Sequence, residues 1–123
     1  MRFNKLKISA DAESRLRSLR QRTGLTPNLL CRMAIMLSLE EGPIGPGATT
    51  DDGGNEFNAY TLTGDHNALI AAMLRMVEEE SEGGRLSEEE LLARLRAHIH
   101  RGVGTLSVRA KSPAEVAMLA AAA

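Results

Sequence analysis

Apolar residues recur at helical spacing along most of this chain, and one short stretch at the front alternates instead. From Phe3 to Ser9, residues Asn4, Leu6 and Ile8 fall on one face, and Phe3, Lys5, Lys7 and Ser9 on the other. A period of two predicts a strand. A lone strand with no hairpin behind it cannot satisfy its own backbone groups. The simplest expected remedy is pairing with a second copy of the chain. Ser9 suits the N-cap of a helix from about Ala10 to Thr23, with Asp11 and Glu13 in the first turn, where the helix dipole favours anions. Its apolar stripe is Ala12, Leu16 and Leu19, and Gly24 fits the C′ stop. Thr26 then caps a second helix, with Pro27 at its first position, running to about Glu41. That helix is apolar on most sides: Leu29, Leu30, Cys31, Met33, Ala34, Ile35, Met36, Leu37, Leu39. Such a helix requires burial on several faces. In so short a chain, a subunit interface is expected there.

Gly42-Pro43-Ile44-Gly45-Pro46-Gly47 and the residues to Asn55 predict a mobile loop. Phe57 to Thr63 reads as a short extended piece. Thr63 or Asp65 then opens a helix to about Glu80, with Leu69, Ile70, Met73, Leu74 and Val77 as its stripe. The acids Glu78 to Glu82 read as a solvated helix end, and Gly83-Gly84 as a break. Ser87 with Glu90 forms a capping box. The helix it opens runs to about Arg101, turns Leu91, Leu92, Leu95 and Ile99 inward, and is expected to end at Gly102 and Gly104. Ser112 and Glu115 form a second capping box before an Ala-rich terminal helix. The predicted fold class is mainly α, one domain over 1–123. It comprises a front segment 1–41, the loop 42–56 and a helical extension 57–123.

Composition narrows this further. The aromatic residues are Phe3, Phe57 and Tyr60, so the core must be aliphatic, which favours helices over a β-sandwich. A single cysteine, Cys31, cannot form an internal disulfide. The N-terminus lacks the apolar stretch of a signal peptide, and no apolar run is long enough for a bilayer. A cytoplasmic protein with no membrane partner is expected. Charge is unevenly spread. Between Arg2 and Arg32 there are eight Lys/Arg (Arg2, Lys5, Lys7, Arg15, Arg17, Arg20, Arg22, Arg32) against two acids, a surplus of six, while the whole chain is −1. The remainder is therefore acidic by seven charges. A basic front joined to an acidic remainder points to a polyanionic partner such as DNA.

A strand with outward polar side chains, a helix, a tight loop and an apolar second helix follow the ribbon-helix-helix order, in which strands of two chains pair into a ribbon. Lys5 and Lys7 would lie on the exposed ribbon face. Thr26 and Asn28 would sit at a helix N-terminus able to hold a phosphate, with Arg32 one turn on. Capping explains Thr26, Pro27 and Asn28 by itself, and anion binding would add to it. A closer resemblance lies in RLRSLRQRTGLTPNLLCRMAIMLSLEEGP (Arg15 to Pro43) followed by EFNAYTLTG (Glu56 to Gly64). These runs are similar to the DndE family, small subunits of the bacterial DNA phosphorothioation system, which replaces a non-bridging phosphate oxygen with sulfur. The resemblance covers roughly residues 1 to 75. It implies a mainly helical homo-oligomer, a tetramer, that binds DNA with a preference for nicked duplex and little sequence preference, beside separate sulfurtransferase and ATPase-like subunits. The DNA-facing residues it implies are Lys5, Lys7, Arg17, Arg20, Arg22 and Arg32, to which the helix terminus adds Thr26 and Asn28.

Catalytic chemistry finds little support in the residues. Cys31 sits in a very apolar helix, where a buried thiol is inert. His98 and His100, two apart on a helix, point to different sides and cannot share a metal easily, and all three histidines read as surface or interface residues. There is no phosphate-cradling GxxxxGK[ST] loop and no nucleophile elbow. No cofactor, metal or catalytic residue is expected. The leading reading is a non-enzymatic DNA-binding accessory subunit. The rivals are an assembly adaptor for larger subunits and a ribbon-helix-helix transcriptional repressor.

Overall fold

The structure, a computed structural model, describes residues 2–122. Its elements are β1 (Lys5–Lys7), α1 (Ala10–Thr23), α2 (Pro27–Glu41), β2 (Glu56–Asn58), α3 (Ala59–Thr63), a 3₁₀ turn (Gly64–His66), α4 (Asn67–Glu82), α5 (Glu88–Arg109) and α6 (Pro113–Ala122). The chain is mainly α, with the strand–helix–helix order at its front. β1, however, finds its partner within the same chain. It pairs antiparallel with β2, with Lys5 opposite Asn58, Leu6 opposite Phe57 and Lys7 opposite Glu56. The expected pairing with a second copy is thereby replaced. The stretch Phe57–Thr63, expected to be extended, holds the end of a three-residue strand that begins at Glu56 and then turns helical from Ala59. Asn58 causes the switch by accepting the Thr61 N–H as an N-cap.

Three of the expected caps form, whereas α4 starts at Asn67 behind His66 with no side-chain cap instead of at Thr63 or Asp65. Ser9 accepts the Ala12 N–H, Ser87 accepts the Glu90 N–H and Ser112 accepts the Glu115 N–H. Gly24 ends α1 in the left-handed region at φ 76°, where a side chain would be strained. Thr26 stands at the N-cap of α2 with Pro27 behind it, but its hydroxyl makes no capping bond.

α2 and α5 form the centre. Leu30, Cys31, Ala34 and Ile35 of α2 are fully buried, as are Leu91, Leu95, Ile99 and Leu106 of α5. The burial that an apolar α2 demands is thus largely met inside the chain. On its outer side Met33, Met36 and Leu37 stay half-buried and Leu29 is 43% exposed. α5 does not stop at Gly102 but continues to Arg109. Packing explains this: a Cβ at Gly102 would overlap the Ala34 carbonyl oxygen of α2. Glycine here permits close helix approach, and the burial gained outweighs its poor helix propensity. The loop between α2 and β2 is tied at several points. Ile44 and Gly45 donate to Glu78, Gly54 N–H donates to the Ile8 carbonyl, and Asp51 accepts the Ala10 N–H. Among the described residues no helix is long and apolar enough to cross a membrane.

The two helical glycines of α5 should respond in opposite ways. Gly102→Ala is expected to destabilise by about 1–3 kcal/mol through overpacking. Gly104→Ala, with open space at its Cβ, should stabilise by about 0.5–1 kcal/mol. Urea unfolding midpoints of the two variants check this. Equal effects would remove the α2–α5 approach as the reason for Gly102.

Candidate nucleic-acid interface

The arginines of α1 divide by helical geometry. Ala12, Leu16, Leu19 and Thr23 face the core. Arg15 and Arg22, seven apart, share one flank, and both reach α5. Both terminal nitrogens of Arg22 donate to the Ser107 carbonyl at 3.3 and 3.4 Å, and Arg15 reaches the Ser107 hydroxyl at 3.5 Å while holding Asp11 at 2.8 Å. Arg22 is therefore occupied in closing the end of α5, and its buried Nε lacks a partner. Arg17 and Arg20 share the opposite flank with Glu13. Arg17 keeps 68% of its side chain exposed and touches Glu13 at 3.7 Å. Arg20 is exposed and forms no ion pair among the described residues.

Arg17 and Arg20 border a groove of about 190 Å³. Its other walls are Glu13 and Leu16 of α1, Pro27 at the start of α2, and Asn55 and Phe57 from the β2 side. Phe57 is opposite Leu6 in the ribbon and half-buried against the core. The groove thus lies where the basic flank of α1, the N-terminus of α2 and the ribbon meet. Thr26 is exposed and Asn28 half-exposed beside it.

The remaining basic residues separate. Lys5 and Lys7 are exposed on the face of β1 opposite Leu6. Lys5 lies 4.0 Å from Glu56 on the neighbouring strand. Arg32 turns inward: its Nε donates to the Leu62 carbonyl and a terminal nitrogen to the Thr61 carbonyl, each at 3.1 Å. It caps the C-terminus of α3, where unpaired carbonyls and the helix dipole favour a cation. Sequence spacing did not single out Phe57, Asn55 or Glu13. The i,i+4 relation of Glu13 to Arg17 was the one available signal, because the β2 residues reach the groove only through strand pairing.

A family model described as DNA sulphur modification protein DndE matches residues 5–114. The chain belongs to the DndE family. Among solved structures it is similar to DndE from Escherichia coli B7A, described as involved in DNA phosphorothioation modification, at 26% identity and TM-score 0.75, over 86% of this chain and 100% of that one. A DndE double glycine-to-lysine mutant involved in DNA phosphorothioation matches at 24% identity and TM-score 0.67, over 85% of this chain and 97% of that one. No curated protein matched.

This DndE-family chain also contains a polar array that the sequence did not suggest. Glu78, expected on a solvated helix end, is fully buried. Its Oε1 accepts from Gly45 N–H (3.0 Å) and Arg94 (3.1 Å), and its Oε2 accepts from Ile44 N–H (2.8 Å) and meets His98 Nε2 at 2.7 Å. His98, expected at a surface or interface, is fully buried too, and its Nδ1 lies 2.7 Å from Ser38 Oγ. Arg101 Nε donates to that same Oγ at 2.9 Å. The Glu78 carboxylate can only accept, so neutral His98 carries its proton on Nε2, and its Nδ1 accepts from the Ser38 hydroxyl. Burial pushes the His98 pKa down despite the carboxylate beside it. Burial also pushes Glu78 up, but the Ile44 and Gly45 N–H bonds and His98 outweigh it, leaving Glu78 below the usual carboxylate range. Ser38, His98 and Glu78 have triad residue types, yet the serine is sealed from solvent and held by Arg101. His100 is half-buried and bonds Ser9 Oγ at 2.7 Å, whereas His66 is exposed. Burial raises the Cys31 pKa to about 12, so it stays a thiol.

Both shifts have the same sign for stability. In the unfolded chain His98 takes a proton below its ordinary 6.5 and Glu78 below its ordinary 4.5, whereas the fold resists both protonations. Their contributions are full above those values and lost as pH falls. Thermal midpoints should decline from about pH 6.5 downward and more steeply below about pH 4.5. His98→Gln keeps an N–H donor but cannot titrate, so it should flatten the limb between those values. An unchanged limb would assign the acid sensitivity elsewhere.

Proposed function

We propose that this chain is a DNA-binding, non-catalytic subunit of DNA sulphur modification. On this reading it holds the backbone of duplex or nicked DNA through the Arg17–Arg20 flank, with Lys5 and Lys7 as outlying contacts. The observation that carries it is the division of α1. Arg15 and Arg22 turn to the α5 side, where Arg22 bonds the Ser107 carbonyl, while Arg17 and Arg20 are exposed on the other flank beside a helix N-terminus whose capping hydroxyl is unused. Exposed guanidinium groups next to free backbone N–H groups suit phosphate, with the arginines supplying most of the affinity. Arg22 and Arg32 serve as positioning residues, because the terminal nitrogens of Arg22 and the Nε and one terminal nitrogen of Arg32 are bonded to backbone carbonyls. Family membership supports the sulphur modification context. The inaccessible Ser38–His98–Glu78 array and the buried Cys31 thiol favour a non-catalytic role. Phosphate contacts carry no base information, so little sequence preference is expected.

A second reading, assembly with further copies or with the larger modification subunits, is favoured by α4. Leu69 and Met76, seven residues apart on one face, are 55% and 61% exposed. Single exposed apolar residues are ordinary, but a pair in register beside half-buried Met73 supports a contact face. A tetramer would bury such faces.

Anisotropy titrations across a salt series test the first reading. Arg17→Glu with Arg20→Glu should abolish binding at moderate salt and leave the thermal midpoint near that of the parent. Arg17→Ala with Arg20→Ala should make the log–log salt slope shallower by about 2. Arg22→Ala should instead cost about 1 kcal/mol of stability, the value of a lost hydrogen bond, with a nearly parental salt slope. Unchanged affinity in the double Glu variant would move the contact site off α1. Sedimentation of Leu69→Glu with Met76→Glu tests the second reading. A smaller species is expected, and an unaltered one would exclude α4 from the interface.

A further inference from the structure

We propose that Glu56 is a built-in competitor for the DNA backbone: it holds the ribbon lysines Lys5 and Lys7 in the free protein and keeps them from phosphate. The inference rests on the DNA-binding reading and concerns the regulation of that same surface. Position comes first. The solvent face of the ribbon carries Lys5 and Lys7 on β1 and Glu56 and Asn58 on β2, because Leu6 and Phe57 take the inner face. Glu56 stands directly across from Lys7 and diagonally from Lys5, and its Oε2 lies 4.0 Å from Lys5 Nζ. Direct and diagonal neighbours on one face of a strand pair are both within reach of long side chains. One carboxylate therefore serves two ammonium groups.

The register that puts it there is fixed at both ends of the ribbon. Gly54 N–H donates to the Ile8 carbonyl at 2.8 Å, and Ile8 N–H to the Asn55 carbonyl at 3.0 Å. Gly54 passes so close to β1 that a Cβ there would overlap the Ser9 carbonyl oxygen. At the other end Ala59 N–H donates to the Asn4 carbonyl at 2.8 Å. A slip of one residue would turn Glu56 inward and Phe57 outward, and these bonds prevent it. Strand propensity does not account for this glutamate, because Glu is depleted in strands; the charge it holds does. The Lys5 and Glu56 side chains keep 65% and 44% of their surface exposed. An exposed pair of this kind is weak, so phosphate can displace it. Competition thus lowers affinity without closing the surface. Arg20 has no such partner among the described residues. The α1 flank therefore supplies the hold, and the lysines add to it only when the Glu56 charge is gone.

A double-mutant cycle on the full-length chain with intact duplex tests this. Glu56→Gln should raise affinity about fivefold at low salt, the upper end of what one exposed ion pair is worth. The log–log salt slope should steepen by about 1 as a freed lysine takes up a phosphate. Lys5→Ala with Lys7→Ala should cost less than about twofold in the parent but about fivefold in the Glu56→Gln background, since only there are the lysines released. Glu80→Gln removes the same charge from an exposed position on α4 and should leave affinity near the parental value. A gain from Glu56→Gln no larger than that from Glu80→Gln, or one that survives loss of both lysines, overturns the competitor role and leaves the backbone-binding reading intact. A large loss from the lysine pair in the parent does the same, and that measurement needs no change at Glu56. Absence of salt-sensitive binding in every variant overturns the interface reading and the competitor role together.

Discussion

The carboxylate of Glu78 is the point on which much of this architecture turns. A charge with no solvent exposure costs several kcal/mol to desolvate, and it persists only where its lone pairs are filled. Glu78 fills all of them: two backbone N–H groups from the loop after α2, Arg94 and His98 from α5. One side chain on α4 thereby fixes the loop and the long helix relative to each other. The chain of bonds continues through His98 to Ser38 and through Arg101 to the carbonyls of Ser38 and Gly42. The same network therefore also holds the C-terminal end of α2. Removing one member would leave others buried and unpaired, a loss on the order of 3–5 kcal/mol, comparable to a large part of a small domain's stability.

With α2 fixed at that end and packed on α5 through Gly102, its opposite end has a set position. The N-terminus of α2 meets α1 and the ribbon there, so the groove with Arg17 and Arg20 follows from packing at the far end of the same helix. Arg32 contributes from the middle of α2. By binding the Thr61 and Leu62 carbonyls it holds α3, and α3 begins where β2 ends. Positioning β2 in turn places Phe57 in the groove wall. Arg32 thus shapes the groove without lining it.

α1 shows how one amphipathic helix divides its charge between packing contacts and exposed surface. Arg15 and Arg22 lie on the flank that meets α5, where the last carbonyls of that helix attract cations. Arg17 and Arg20 lie on the other flank, beside the groove that the start of α2 also borders. Both pairs look alike in sequence, and their roles differ because α5 reaches α1 on one side alone. That reach depends on α5 continuing through Gly102 and Gly104 to Arg109, since Ser107, the residue Arg22 holds, belongs to the extension.

By itself the sequence determined the local features: the strand period at Leu6 and Ile8, the caps at Ser9, Ser87 and Ser112, the glycine stop at Gly24, the aliphatic helical core and the basic bias of the front segment. These depend on periodicity, side-chain reach and composition, all of which act over a few residues. The runs around Thr23–Asn28 and Phe57–Gly64 also carried the family resemblance. Tertiary structure decided the rest. Leu6 pairs with Phe57 across about fifty residues, a separation at which no periodic signal operates, so an apparently lone strand found its partner at home. Gly102 lies inside a helix because α2 needs the space. Glu78 and His98 are buried because each is the other's partner, and polar residue types alone point to the surface. Arg17 and Arg22 differ only in what packs beside them, so the choice of which arginines stay exposed is made by the fold.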